Sequence, residues 1–107
     1  EIFDFGAEYK IKEFLPYDYG KWDKERIKKR LKMKIIANIN IKPVKIPLTE
    51  IRYVPSEFNS SVSTYIFDNK VALIMWVENP LGILIEHKAV YESYRNYFQY
   101  LWKQAKS

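Results

Sequence analysis

The 107-residue chain has no cysteine and a single histidine, His87. The first absence excludes a disulfide scaffold and a thiolate metal site. The second removes any pair of imidazoles for a metal. It also narrows acid–base and nucleophilic chemistry, which near neutral pH usually recruits His, Cys or a Ser beside a base. Gly6, Gly20 and Gly82 are the only glycines, too far apart to build a phosphate-cradling loop. With only five prolines as well, collagen-like and low-complexity character are excluded. No dense Asp/Glu cluster offers a Mg²⁺ site, and no cofactor is implied. The longest apolar run, VALIMWV (71–77), has strand length and falls far short of the ~18 residues of a membrane span. The acidic, aromatic N-terminus EIFDFG does not read as a signal peptide. A cytoplasmic, membrane-free protein is expected, and the missing initiator Met suggests a piece of a longer chain.

What remains points to a packed domain. Hydrophobic residues make up 48% of the chain and aromatics 17%, enough to build a core. The length suits one domain burying about two-thirds of its unfolded surface. The net charge of +5 is unevenly placed. Between Lys21 and Lys45 ten basic residues face only Asp23 and Glu25. Such a block reads either as a solvated helix face or as a phosphate-attracting surface made by Lys24, Arg26, Lys28, Lys29, Arg30, Lys32 and Lys34.

Periodicity predicts a mixed α/β layer fold, a mixed sheet with flanking helices. EIFDF (1–5) alternates as a first strand. AEYKIKEFL (7–15) has helical spacing ended by Pro16, and a second helix is expected from Asp18 with Tyr19, Ile27 and Leu31 on one stripe. MKIIANINI (33–41) and EIRYVP (50–55) read as strands, joined by a proline-bearing connection, and SEFNS (56–60) as a polar loop. VSTYIF (62–67), Asp68-Asn69 and KVALIMWV (70–77) read as a hairpin, because Asp and Asn tolerate the positive φ of a tight turn. ENPLG (78–82) is a turn, and ILIE (83–86) reads as a strand buried on both faces. The final segment from His87 is a helix with Val90, Tyr94, Tyr97 and Leu101 on one stripe, widened by Tyr91, Phe98 and Trp102. His87, at its start, is expected to cap it or tie the loop.

The hairpin also carries the outline of a catalytic motif. Phospholipase D-type enzymes use H-x-K-x4-D, with a Gly-Ser pair and an Asn on the next strand. On that spacing Ser61 stands at the His position, Ser63 at the Lys position and Asp68 at the Asp position. Met75-Trp76 replaces Gly-Ser and Glu78 replaces Asn. The frame YIFDNKVALI (65–74) resembles the strand–turn–strand of that superfamily, without its nucleophile or its charge clamp. Trp76 would fill phosphate space and Glu78 would repel the anion.

Over nearly its whole length the chain resembles the C-terminal domain of archaeal TrmB-type transcriptional regulators. The resemblance is carried by KERIKKRLK (24–32) before a strand, by IRYVP (51–55) followed by the DNKVALI hairpin, and by the ending ILIEHKAVYESYRNYFQYLW (83–102). It implies a catalytically dead, phospholipase D-like half domain that follows an N-terminal winged helix, absent from this chain, through which the full protein binds DNA. The expected function is therefore non-catalytic: effector sensing, homodimerisation, or both. Sugars are effectors in some members, and a sugar or phosphorylated metabolite is expected here. If a pocket persists, its expected floor is the old catalytic rim of Ser61, Ser63, Asp68, Trp76 and Glu78, where hydroxyls, carboxylates and an indole suit a polyol. The other reading is that these residues only satisfy the hairpin and core, with Asp68 as a turn residue. The alternatives are direct nucleic-acid binding by the basic segment 21–34, dimerisation alone through the outer side of the last helix with Tyr100, and an active phosphodiesterase using His87.

Overall fold

The computed structural model describes residues 1–6, 16–38, 46–55 and 61–106. In chain order it contains β1 (Ile2–Phe5), α1 (Pro16–Lys28), β2 (Met33–Asn38), β3 (Thr49–Val54), β4 (Val62–Phe67), β5 (Lys70–Met75), β6 (Leu81–Glu86) and α2 (Lys88–Gln104). The helix expected over 7–15, the end of the second predicted strand, most of the proline-bearing connection and the loop at 56–60 lie outside the described residues. The strands form one six-stranded sheet in the order β3-β2-β1-β4-β5-β6. β1 and β3 flank β2 in parallel, and β4, β5 and β6 continue from β1 as an antiparallel meander. The fold is a mixed-sheet α/β arrangement, as the periodicity predicts.

Successive strand residues point to opposite faces, and that alternation sorts the core into two parts. On one face Phe3, Ile36 and Ile66 pack against Phe98 and Trp102 of α2, with Phe5, Tyr91, Tyr94 and Leu101 around them. The Phe98 ring lies 5.0 Å from Phe3 and 5.7 Å from Trp102. On the other face Ile2, Met33, Ile35 and Ala37 gather Ile46, Ile51, Tyr53, Tyr65 and Phe67.

Local chemistry sets the joints. Asp68 and Asn69 have φ of 44° and 59°, the left-handed pair that matches a two-residue turn to the twist of its strands. Lys70 Nζ donates to Asp68 Oδ2 at 3.0 Å across that turn. His87 is the N-cap of α2: its backbone is extended and its Nδ1 accepts from the Ala89 N–H at 3.1 Å, satisfying one of the unpaired amides of a helix start. At the far end, Ala105 N–H closes on Leu101 O. Lys106 then exchanges two backbone bonds with Tyr53 of β3. The chain's own C-terminal segment therefore covers part of the β3 edge.

Several expectations are corrected. Helix α1 opens at Pro16, two residues before the expected start at Asp18; a first-turn proline forfeits no hydrogen bond. Leu31 lies beyond α1, which ends at Lys28 before Arg30 turns at a φ of 57°. Tyr97, placed on the buried stripe of the last helix, is 61% exposed, while Phe98 and Trp102 are its buried residues. The helix meets the sheet along the line through Tyr91, Tyr94, Phe98 and Trp102, and Tyr97 falls roughly 100° from Phe98 around the axis. The largest difference is at β6. The run expected to be buried on both faces is an edge strand, with Leu81, Ile83 and Leu84 at 55%, 45% and 59% exposure. A continuous apolar run does not distinguish a central strand from an edge strand; only the strand order does.

Candidate functional site

The sheet face opposite α2 holds a cavity of about 350 Å³. Its floor comes from alternate residues of adjacent strands: Ile2 and Asp4 of β1, Met33 and Ile35 of β2, Tyr65 and Phe67 of β4, and Ala72 and Ile74 of β5. These are the strand positions whose immediate neighbours face α2. Register aligns them, since Asp4 pairs with Ile35 on one side and Tyr65 on the other, and Tyr65 pairs with Ala72. Trp22 of α1 and Leu31 also line it. Apart from Asp4, the polar tips of Tyr65 and Trp22 and the Met33 thioether, the described lining is hydrocarbon and aromatic. Ala72 leaves room where a larger residue would close the floor.

Arg26 supports both of those outer residues. It is only 2% exposed. Its Nε and Nη2 donate to Asp23 Oδ1 at 3.0 and 2.9 Å, Nη1 to Leu31 O at 3.0 Å, and Nη2 also to Pro47 O at 3.0 Å. Its guanidinium carbon lies 5.9 Å from the centre of the Trp22 ring. The planar fork thus ties α1 to the turn after it and to the approach to β3. This corrects its expected place in a basic surface, because its donors are turned into the protein. Lys34 is also separate from that surface: it lies on the α2 face, 5.5 Å from the Trp102 ring and 4.0 Å from Glu1 Oε2. Arg52 shares Trp102 with it, at 4.4 Å from the ring. Lys24, Lys28, Lys29, Arg30 and Lys32 are exposed.

The five hairpin residues expected to form one site do not converge. Ser63 is buried and accepts from Trp76 Nε1 at 2.8 Å. Ser61 and Glu78 are exposed near that same end, with Ser61 O accepting from the Trp76 amide. Asp68 is at the opposite end of β4, five residues from Ser63 and so about 16 Å away along an extended strand, bound to Lys70 in the turn. The rim resembling a phospholipase site is thus a buried Ser63–Trp76 pair and a distant turn carboxylate. Among the described residues, no three His, Cys, Asp or Glu side chains come together as a metal site. The cavity residues were not singled out by the sequence. Their one local signal is Asp4, a carboxylate inside an otherwise apolar strand, at a position matched by an aromatic on the neighbouring strand.

Comparison of the chain with protein-family models, with curated proteins and with solved structures gives no significant match.

Proposed function

We propose that the chain is a non-catalytic sensing domain of a TrmB-like transcriptional regulator, phospholipase D-like in ancestry, and that its effector sits in the cavity opposite α2. The observation that carries this reading is the cavity itself: concave, apolar-floored, and at the lower end of the size range of small-molecule sites. The state of the groups that would do chemistry supports the same reading. Ser63 and Trp76 bind each other, and His87 Nδ1 is engaged in a helix cap. The lining narrows the effector. Among the described lining residues a phosphate would meet the Asp4 carboxylate and no cation, and a sugar would face mostly hydrocarbon. A small aromatic molecule, with or without an amine, fits better.

The test is a thermal-shift series with indole, tryptamine, glucose and glucose 6-phosphate. Indole or tryptamine is expected to raise Tm with concentration, approaching about 2.7 kcal/mol of stabilisation at a hundred times Kd. Ala72→Leu, which fills the floor, is expected to remove that shift. No shift from either aromatic, or one that survives Ala72→Leu in a folded variant, refutes the assignment.

A second reading rests on the exposed cations Lys24, Lys28, Lys29, Arg30 and Lys32, which follow one another along α1 and its exit. Five phosphate contacts would give a log–log salt slope of roughly −4 to −5. On the sensing reading, DNA contact belongs to the winged helix of the full regulator. Fluorescence anisotropy with a mixed-sequence duplex should then show a Kd weaker than about 10⁻⁴ M at physiological salt, even with this chain alone. Tight low-salt binding with the steep slope would favour the nucleic-acid reading instead.

A further inference from the structure

We infer that β6 is a self-pairing edge through which two copies of this chain join their sheets. The two ends of the sheet are treated differently. The β3 edge is partly occupied by Lys106 and carries Glu50 and Arg52. Up to its last residue, Glu86, the β6 edge lacks the usual devices that keep sheet edges apart: it has no lysine, no internal proline and no break in its six-residue register with β5. Its exposed side chains before Glu86 are Leu81, Ile83 and Leu84, and they occupy both faces. A strand with one wet face would alternate; this one exposes leucine or isoleucine on each face, where the side chains of a paired strand would lie directly beside them.

The occupant is a second copy because the strand is complementary to itself in one register. Consider a two-fold axis perpendicular to the sheet, which makes the pairing antiparallel and keeps like faces together. The axis must pass through a residue, so that inward faces meet inward faces. Centred on Ile83, the ladder places Ile83 against its own copy, Leu81 against the partner's Ile85, and Leu84 against the partner's Gly82. The last match puts the most exposed leucine opposite the residue with no side chain, where a Cβ would find nothing closer than 4.0 Å. Glu86 and Pro80, the charge and the missing N–H at the two ends, oppose each other outside the ladder. Centring on Leu84 brings both Glu86 carboxylates into the ladder opposite glycine. Centring on Gly82 brings in Pro80, which cannot donate. The Ile83 register alone keeps the paired residues wholly apolar. It sets both α2 helices on one side of the joined sheet and leaves the cavities on the other, so the pairing does not depend on the cavity's occupant.

Sedimentation equilibrium of the full chain at about 100 µM is expected to give twice the 12.9 kDa chain mass. Ile83→Lys sets two ammonium groups against each other on the axis and is expected to return a folded monomer, with its fold checked by circular dichroism. The absence of native cysteine permits an independent test. Ile83→Cys should form an intermolecular disulfide under mild oxidation, because directly opposed Cα atoms in an antiparallel pair are about 4.5–5.5 Å apart. Leu84→Cys should not, because in this register its own copy lies about 8 Å away. A monomeric wild-type chain at that concentration, a folded Ile83→Lys dimer, or crosslinking of Leu84→Cys as readily as Ile83→Cys would each overturn the assignment.

Discussion

Phe98→Ala is expected to cost about 3–5 kcal/mol of folding stability, the usual range for removing a buried aromatic ring. Phe98 is 1% exposed and its ring meets Phe3, Phe5 and Trp102 at 5.0, 6.2 and 5.7 Å between centroids. Those partners come from β1 and from the next turn of α2, so the ring fastens the helix to the middle of the sheet. Truncation leaves a void walled by rigid aromatics and by the sheet, which collapse poorly around it. A domain of this length has roughly 5–15 kcal/mol in total. The loss is therefore a large fraction of the whole, and the fall in Tm should be on the order of 15 °C or more. Phe98→Leu, which keeps much of the volume, should cost under about 2 kcal/mol. Tyr100→Ala, at a position 68% exposed on the same helix, should stay within about 0.5 kcal/mol. Chemical denaturation of the three variants checks the order. Near-equal effects of Phe98→Ala and Tyr100→Ala would mean that α2 docks on another face.

Arg26→Ala is expected to cost about 3–5 kcal/mol, the range seen when one member of a buried charged network is removed. The alanine leaves the Leu31 and Pro47 carbonyls and the Asp23 carboxylate to find other donors, in a site that the arginine fills almost without exposure. Arg26→Lys should recover only part of the loss, because a single ammonium cannot reproduce a fork that reaches three separate acceptors. Function should be affected too. Leu31 and Trp22 line the cavity and both lean on Arg26, so aromatic probes should bind the lysine variant more weakly than wild type even where it is fully folded. Urea melts give the first effect and probe titration the second. A stability loss below about 1 kcal/mol for Arg26→Ala would show that water replaces the guanidinium easily and that the network is not structural.

Much of the architecture was legible because it is written in short-range patterns. Asp68-Asn69 between two apolar alternations can only turn one way, and both residues take the positive φ that the turn requires. His87 before a helical stripe reads as a cap, and Nδ1 accepts the Ala89 amide. The site was less legible. Ser63 and Trp76, thirteen residues apart, find each other only because β4 and β5 pair in register. Arg26 looks like its basic neighbours until the turn at Arg30 and the approach to β3 bring Leu31 and Pro47 to it. Asp4, Tyr65 and Ala72 belong to three strands, and their sharing one floor is a fact about strand order.

What the chain alone determined is the set of pieces: which segments alternate with a period of two, which follow a helical period, where the turns fall, and that a single histidine and no cysteine restrict its chemistry. These follow from steric and solvation preferences that act over a few residues. Tertiary structure decided which apolar strand lies in the middle and which at the edge, which arginine is buried among its lysine-rich surroundings, and where the cavity opens. Those outcomes depend on long-range pairing, in which identical local patterns acquire different neighbours, and burial is a property of the neighbours.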